Sequence, residues 1–187
     1  MSFLLFAAAA SLIVQSTAAS DSCRRIIPEA LRIAVERQYA GYQGPLESDN
    51  LAEDIKYNRD RGRSGCLGAA VGHYYGKKTQ DYALLLTSRA SGQVLLAVAT
   101  GAGSSWRIAV LQDLGTGARN ARSTLYVETV PPGLYKRTEA LDGTVSERGE
   151  LLTYTSKYDG VQSGTIESGA VAHFFTGQRW VHVWVSD

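Results

Sequence analysis

The stretch AVAHFFTGQRWVHVWV, Ala170 to Val185, predicts a β-hairpin and, with it, the fold class. Gly177-Gln178 has the composition of a two-residue turn with glycine first, so Thr176 pairs with Arg179. The same register gives three further cross-strand pairs: Phe175 with Trp180, Phe174 with Val181, and His173 with His182. Both faces carry large side chains. The hairpin is therefore either central to the core or half-exposed at a binding surface.

Similar runs rich in Val, Leu, Tyr, Trp and Thr occupy the chain from Leu67 onward, separated by turn residues such as Ser91-Gly92 and Pro131-Pro132-Gly133. Strands at this spacing, without helices between them, are typical of antiparallel sheets. The sequence predicts a mainly β fold, an antiparallel sandwich or barrel-like sheet. We expect a single domain over residues 20–187.

One convincing helix precedes the strands, in IPEALRIAVERQY, Ile27 to Tyr39. Pro28 suits the first helical position, and an apolar stripe of Leu31, Ala34 and Val35 follows it. This stripe is too narrow for the helix to stand alone, so it is expected to pack on the sheet. NLAEDIKYN, Asn50 to Asn58, predicts a further short helix.

The first residues, MSFLLFAAAASLIVQSTAAS, carry no charged side chain, and the first charge is Asp21. The apolar run from Phe3 to Val14 is too short to span a bilayer, and Thr17-Ala18-Ala19 suits signal-peptidase cleavage. Residues 1–19 are therefore predicted to be a cleaved signal peptide. We expect a periplasmic protein without a membrane span, with secretion as the alternative.

The two cysteines, Cys23 and Cys66, both lie beyond the expected cleavage site. An even count in an oxidising compartment favours a disulfide between them, and two reduced buried thiols are the alternative. The net charge of +1 does not suggest a polyanionic partner. The basic run Lys56 to Arg63 is interrupted by Asp60, which favours a solvated loop over a nucleic-acid patch.

Motifs of catalysis are missing from the sequence: it contains no Gly-x-Ser-x-Gly, His-Glu-x-x-His or Cys-x-x-Cys. His173 and His182 could hold zinc with Glu167, or simply be cross-strand neighbours. Glu167 and Asp159 could form a glycosidase pair, or be unrelated loop acids. We expect a protein that is not an enzyme and has no metal and no cofactor.

GHYYGKKTQDYALLL, Gly72 to Leu86, resembles the calcium loop of integrin-type (FG-GAP-like) repeats in exported bacterial proteins. Calcium takes roughly six to eight oxygen ligands, mostly carboxylates. The ligand positions here carry His73, Tyr75 and Lys77, and Asp81 alone is a carboxylate. We interpret the segment as a degenerate calcium loop in which Lys77 replaces the cation and pairs with Asp81.

Three other parts of the chain resemble the same periplasmic proteins: IPEALRIAVERQYAGY, PPGLYKR and the closing ES…VWVSD, with Glu167, Ser168 and Trp184 to Asp187. These proteins include lysozyme inhibitors and immunity proteins against peptidoglycan-degrading effectors. The resemblance implies that the partner is a peptidoglycan hydrolase, which the protein inhibits. The alternative function is a non-catalytic envelope or adhesion module with a vestigial calcium loop.

Some of these inhibitors insert a Ser-Gly-x-Tyr loop into the lysozyme cleft, and Ser163-Gly164-Thr165-Ile166 resembles that loop with isoleucine in place of tyrosine. The resemblance predicts an inhibitory loop from Tyr158 to Gly169, and an ordinary hairpin loop is the alternative. The expected contact residues are Tyr158, Ser163, Gly164, Thr165, Ile166 and Glu167. Four tyrosines flank turns and are expected to be exposed: Tyr74, Tyr75, Tyr154 and Tyr158.

Overall fold

The computed structural model describes residues 21–76, 78–116, 124–139, 147–166 and 168–186. The predicted signal peptide, residues 1–19, lies outside these ranges. Within them, no helix is long and apolar enough to cross a membrane.

Helices occupy the amino-terminal part of the described chain: α1 Ser22–Ile26, α2 Glu29–Gln38 and α3 Ala52–Asp60, with strand β1 Tyr42–Gln43 and a 3₁₀ turn Glu47–Asp49 between α2 and α3. The remaining elements are strands. They are β2 Ala69–Gly72, β3 Asp81–Ser88, β4 Gln93–Ala102, β5 Ser105–Thr116, β6 Leu125–Val130, β7 Gly133–Lys136, β8 Thr153–Ser156, β9 Gly160–Thr165, β10 Ala170–Phe175 and β11 Trp180–Ser186.

The predicted helix is α2, which begins directly after Pro28 and buries the expected apolar stripe. The short helix α1 was not predicted, because five residues are too few to show a helical period. It is stabilised at its start by Asp21, whose Oδ1 accepts hydrogen bonds from the backbone N–H groups of Cys23 and Arg24.

The strands form two antiparallel sheets and a separate hairpin. In the first sheet the order is β1-β3-β4-β5, and β2 also pairs with β3. The second sheet has the order β11-β10-β9-β6, and β7 pairs with β8 in the hairpin. The prediction of a mainly β, antiparallel sandwich with a helix packed on it is confirmed.

Three apolar layers hold these elements together. The helices pack on the outer face of the first sheet through a cluster that includes Leu31, Val35, Leu84 and Leu86. Between the two sheets lies a second cluster, with Leu96, Val98, Val127 and Val161. The hairpin β7–β8 covers the other face of the second sheet, where Tyr135 and Tyr154 pack on Phe174.

The two sheets meet along one seam, where β2 lies beside β6. The backbone N–H of Val127 donates to the carbonyl of Leu67 at 2.8 Å. Farther along, Thr129 Oγ1 donates to the carbonyl of Val71 at 2.8 Å. These bonds close one side of the sandwich.

The disulfide prediction is confirmed: Cys23 and Cys66 are bonded, and both are buried. The bond joins α1 to the segment just before β2. It therefore fixes the helical layer to the strand that forms the seam.

The hairpin register predicted at the carboxy-terminal end is also confirmed. Phe175 pairs with Trp180, and His173 pairs with His182. The turn contains Gly177 at φ 96°, a conformation that glycine adopts without strain. The valine face of the β10–β11 hairpin is buried under the β7–β8 hairpin. Of the two placements expected for the hairpin, in the core or at a binding surface, the first holds for this face.

Candidate functional site

Two segments that the sequence analysis singled out separately meet at one end of the sandwich. The backbone N–H of His73 donates to Oδ2 of Asp159 at 2.8 Å, and the imidazole Nδ1 of His73 lies 3.6 Å from the same oxygen. A Cβ at Gly76 would lie 2.4 Å from the Tyr158 ring, so glycine lets that ring rest on the turn. We call His73, Tyr75, Gly76, Tyr158 and Asp159 the turn cluster.

Internal hydrogen bonds hold both halves of the turn cluster. Asp81, buried at the start of β3, accepts the backbone N–H of Tyr75 through Oδ2 at 3.1 Å. Ser156 Oγ donates to the carbonyl of Tyr158 at 2.6 Å and accepts the N–H of Tyr158 at 3.3 Å. The conformation of the turns is therefore fixed before any partner binds.

In the degenerate calcium loop, the described residues make hydrogen bonds that hold the backbone of the turn. Asp81 directs one oxygen to the turn, and its buried Oδ1 has no hydrogen-bond partner among the residues that the structure describes. Among the described residues there is no group of three or more His, Cys, Asp or Glu side chains that could hold a metal ion. Lys77 lies outside the described residues, so its pairing with Asp81 stays a prediction.

The four tyrosines expected at the surface differ in exposure. Tyr158 is 42% exposed, as predicted, whereas Tyr75 and Tyr154 are half-buried. The prediction for Tyr74 is wrong: it is fully buried, because its ring folds back onto Gly72, where a Cβ would lie 2.6 Å from the ring.

Tyr74 is instead a structural hydrogen-bond donor. Its phenol oxygen lies 2.7 Å from Thr129 Oγ1, whose own proton goes to the carbonyl of Val71. Burial raises the pKa of Tyr74, so its O–H stays protonated and donates to Thr129. The turn cluster is thereby tied to the seam.

Aromatic and cationic side chains surround the turn cluster. The Tyr75 ring packs edge-on against Phe175 at 4.7 Å and Trp180 at 5.5 Å between ring centroids. Exposed cationic side chains lie beside the turn cluster in the chain, on strand β5 and in the β10–β11 turn: Lys78, Lys157, Arg107 and Arg179. Asp159, the carboxylate of the cluster, is engaged by His73. This end of the molecule thus presents an aromatic surface with exposed positive charge.

The segment from Tyr158 to Gly169, predicted to be an inhibitory loop, is a strand over half of its length. Gly160–Thr165 is strand β9 in the middle of the second sheet, and Ser163 is 2% exposed between the two sheets. Gly164 pairs with Ala170 and Tyr126 in the ladders.

The segment carries Ser and Gly because the strands approach closely, and a Cβ at Gly164 would lie 2.6 Å from the carbonyl oxygen of Gly169. Thr165 pairs with Leu125, and Ile166 follows at the far end of β9. Six positions of a strand rise about 20 Å, so Ile166 cannot contact the same small surface as Tyr158. Glu167 lies outside the described residues.

His173 and His182 are cross-strand neighbours with ring centroids 5.6 Å apart. His173 is buried, and within the described part of the chain its Nε2 has no hydrogen-bond partner. Burial and then the neighbouring His182 lower its pKa to about 3, so the ring is neutral. Nε2 of His182 lies 3.8 Å from Oε2 of Glu147.

The structure also contains a cleft that was not predicted from the sequence. A cleft of about 400 Å³ lies beside the seam, between α3 with its following loop and strand β6. Its lining includes Tyr57, Arg63, Tyr126 and Glu128. The sequence predicts that the basic segment of this loop is solvated. No local pattern predicts its contact with a strand more than sixty residues away.

The fold and the turn cluster define a disulfide-linked β-sandwich that presents a pre-ordered, cationic and aromatic surface at one end. No protein-family model, curated protein or solved structure matches the chain.

Proposed function

We propose that the protein is an exported inhibitor of a peptidoglycan-degrading hydrolase, and that the turn cluster makes the inhibitory contact. The observation that carries this proposal is the meeting of the two segments, in which Tyr158 rests on Gly76 and His73 is bonded to Asp159. His73 to Gly76 belongs to the segment that resembles exported bacterial proteins among which lysozyme inhibitors are found.

The chemistry of the turn cluster suits the active site of such an enzyme. Glycoside hydrolases of the lysozyme type carry two carboxyl groups across the scissile bond. The exposed phenol of Tyr158 and the half-exposed imidazole of His73 can donate hydrogen bonds to carboxyl oxygens. The nearby ammonium groups of Lys78 and Lys157 add attraction toward an acidic cleft.

The fixed conformation of the two turns favours tight binding to the hydrolase. A loop that must be fixed on binding loses conformational entropy, which reduces the net binding free energy. Here Asp81 and Ser156 already hold the backbone of the turns. The turn cluster can therefore enter a concave site without rearrangement.

The experiment is a titration of the purified exported protein against a panel of peptidoglycan hydrolases, with release of soluble fragments from cell walls as the readout. Inhibition of at least one enzyme at a stoichiometric ratio supports the proposal. If no enzyme is inhibited or bound, the inhibitor function is excluded. Binding to intact envelopes in that case would favour the adhesion-module alternative.

A further inference from the structure

The cleft beside the seam has a rigid base and a polar rim. Its base is formed by the segment from Cys66 to Val71 together with Val127. The disulfide and the Leu67–Val127 backbone bond fix this base. Its volume of about 400 Å³ is within the range of small-ligand sites.

A connected polar network lines the wall formed by β6. Gln162 Nε2 donates to the phenol oxygen of Tyr126 and to Oε1 of Glu128, each at 3.0 Å. Oε2 of Glu128 accepts from Arg63 at 3.1 Å across the cleft. The phenol oxygen of Tyr126 already accepts a hydrogen bond from Gln162. Its own O–H proton can therefore be donated to a ligand. Burial raises its pKa, which keeps that proton in place.

The opposite wall is α3 and its following loop. Tyr57 is 48% exposed, and Arg61 lies over its ring at 3.5 Å from the centroid. Asn58 adds an amide to the rim. The two walls thus offer aromatic surface together with planar hydrogen-bonding groups.

The charges of the cleft select a class of ligand. Arg63 and Glu128 are the charged groups in its lining, and they compensate each other. An anion such as phosphate would compete with Glu128 for Arg63, and a cation would meet the guanidinium. An uncharged polyhydroxylated ligand instead bonds to both members of the pair without separating their charges.

We propose that the cleft binds an uncharged sugar segment of one or two rings. The apolar face of a pyranose packs on the tyrosine rings, and its hydroxyls bond to Asn58, Arg63, Tyr126 and Glu128. Because this cleft and the turn cluster have no residue in common, the proposal does not depend on inhibition of a hydrolase.

The test is an NMR titration of the ¹⁵N-labelled protein with N-acetylglucosamine disaccharide and, separately, with cellobiose. We expect amide shifts at residues 57–66 and 126–129, with a Kd of about 1 mM. Y126F removes the hydroxyl that donates to the ligand and accepts from Gln162, and should weaken binding about fivefold. Binding of either sugar supports the proposal.

The control is Y158A, a change at an exposed tyrosine of the turn cluster, which should bind the sugar as the wild type does. Inorganic phosphate is titrated in parallel. The proposal is overturned if sugars at about 20 mM, well above the expected Kd, leave the cleft amides unmoved. It is also overturned if phosphate binds there more tightly, or if Y158A weakens sugar binding as much as Y126F.

Discussion

At the scale of single residues, His173 makes the stability of the protein depend on pH. Its pKa is lowered to about 3 by burial and by His182, against an ordinary value of 6.5. Between these values the unfolded chain binds a proton that the folded chain does not. The free energy of unfolding therefore falls as the pH falls through this window, by up to about 1.4 kcal/mol per pH unit.

Urea unfolding at pH 7.0, 6.0 and 5.0 checks this dependence. We expect the replacement His173→Leu to give a flatter profile than the wild type, whatever its stability at pH 7. Carboxylates contribute equally to both profiles, so the difference between them isolates the imidazole. Parallel profiles would show that His173 does not titrate as its burial requires.

Residue types alone predicted Tyr158 at the surface but placed Tyr74 and Ser163 wrongly. Ser and Gly in YDGVQSGTIESG are common in turns, yet the same small residues also allow close strand packing. Ser163 is buried because its alternation in β9 directs it between the sheets. Tyr74 is buried because Gly72 leaves room for its ring. Local composition predicts neither the burial of Ser163 between the sheets nor the packing of Tyr74 on Gly72.

At the scale of elements, the β10–β11 hairpin was predictable in register from Phe175–Trp180 to His173–His182 because its turn and both strands are contiguous. The β2–β6 seam was not, since Leu67 and Val127 are far apart in sequence. Hydrophobic alternation predicts that a strand is buried on one face, without saying which strand lies beside it. The cleft beside the seam was missed for this reason.

Close packing in the second sheet gives a prediction at Gly160, the first residue of β9. A Cβ there would lie 2.3 Å from a ring carbon of Phe174 and 2.9 Å from Val130. We expect Gly160→Ala to destabilise the protein by about 1–3 kcal/mol, as overpacked cores do. Chemical denaturation measures the change.

Gly44 provides the matched control, because a Cβ there meets no atom within 4 Å and its φ is not positive. Gly44→Ala should change stability by no more than about 0.5 kcal/mol. Equal effects of the two substitutions would contradict the packing described between β9 and β10.

At the scale of the whole molecule, the disulfide connects the helical layer to the seam. It closes a loop of 43 positions between Cys23 and Cys66. Replacing both cysteines with alanine should lower the free energy of unfolding by about 3–4 kcal/mol. Equilibrium unfolding of the oxidised wild type and the double variant measures this loss. Equal stabilities would show that the bond does not constrain the unfolded chain as proposed.

The turn cluster is itself a property of the whole molecule. His73 and Asp159 are 86 positions apart in the chain, and the sandwich brings them together. The sequence predicted each segment as a functional candidate but not their contact, because that contact depends on the packing of the two sheets. The proposed inhibitory surface is therefore the turn cluster, and Tyr158 is the one expected contact residue of the predicted inhibitory loop that it retains.

The most direct test of this account is the inhibition constant of the double variant H73A/Y158A against the hydrolase that the wild type inhibits. Both side chains are exposed, so the fold should be retained, and circular dichroism checks this. We predict a loss of at least about 2 kcal/mol of binding free energy, the scale of a hot spot, while Y57A on α3 inhibits as the wild type does. Undiminished inhibition by the folded double variant would contradict the assignment of the turn cluster as the inhibitory surface.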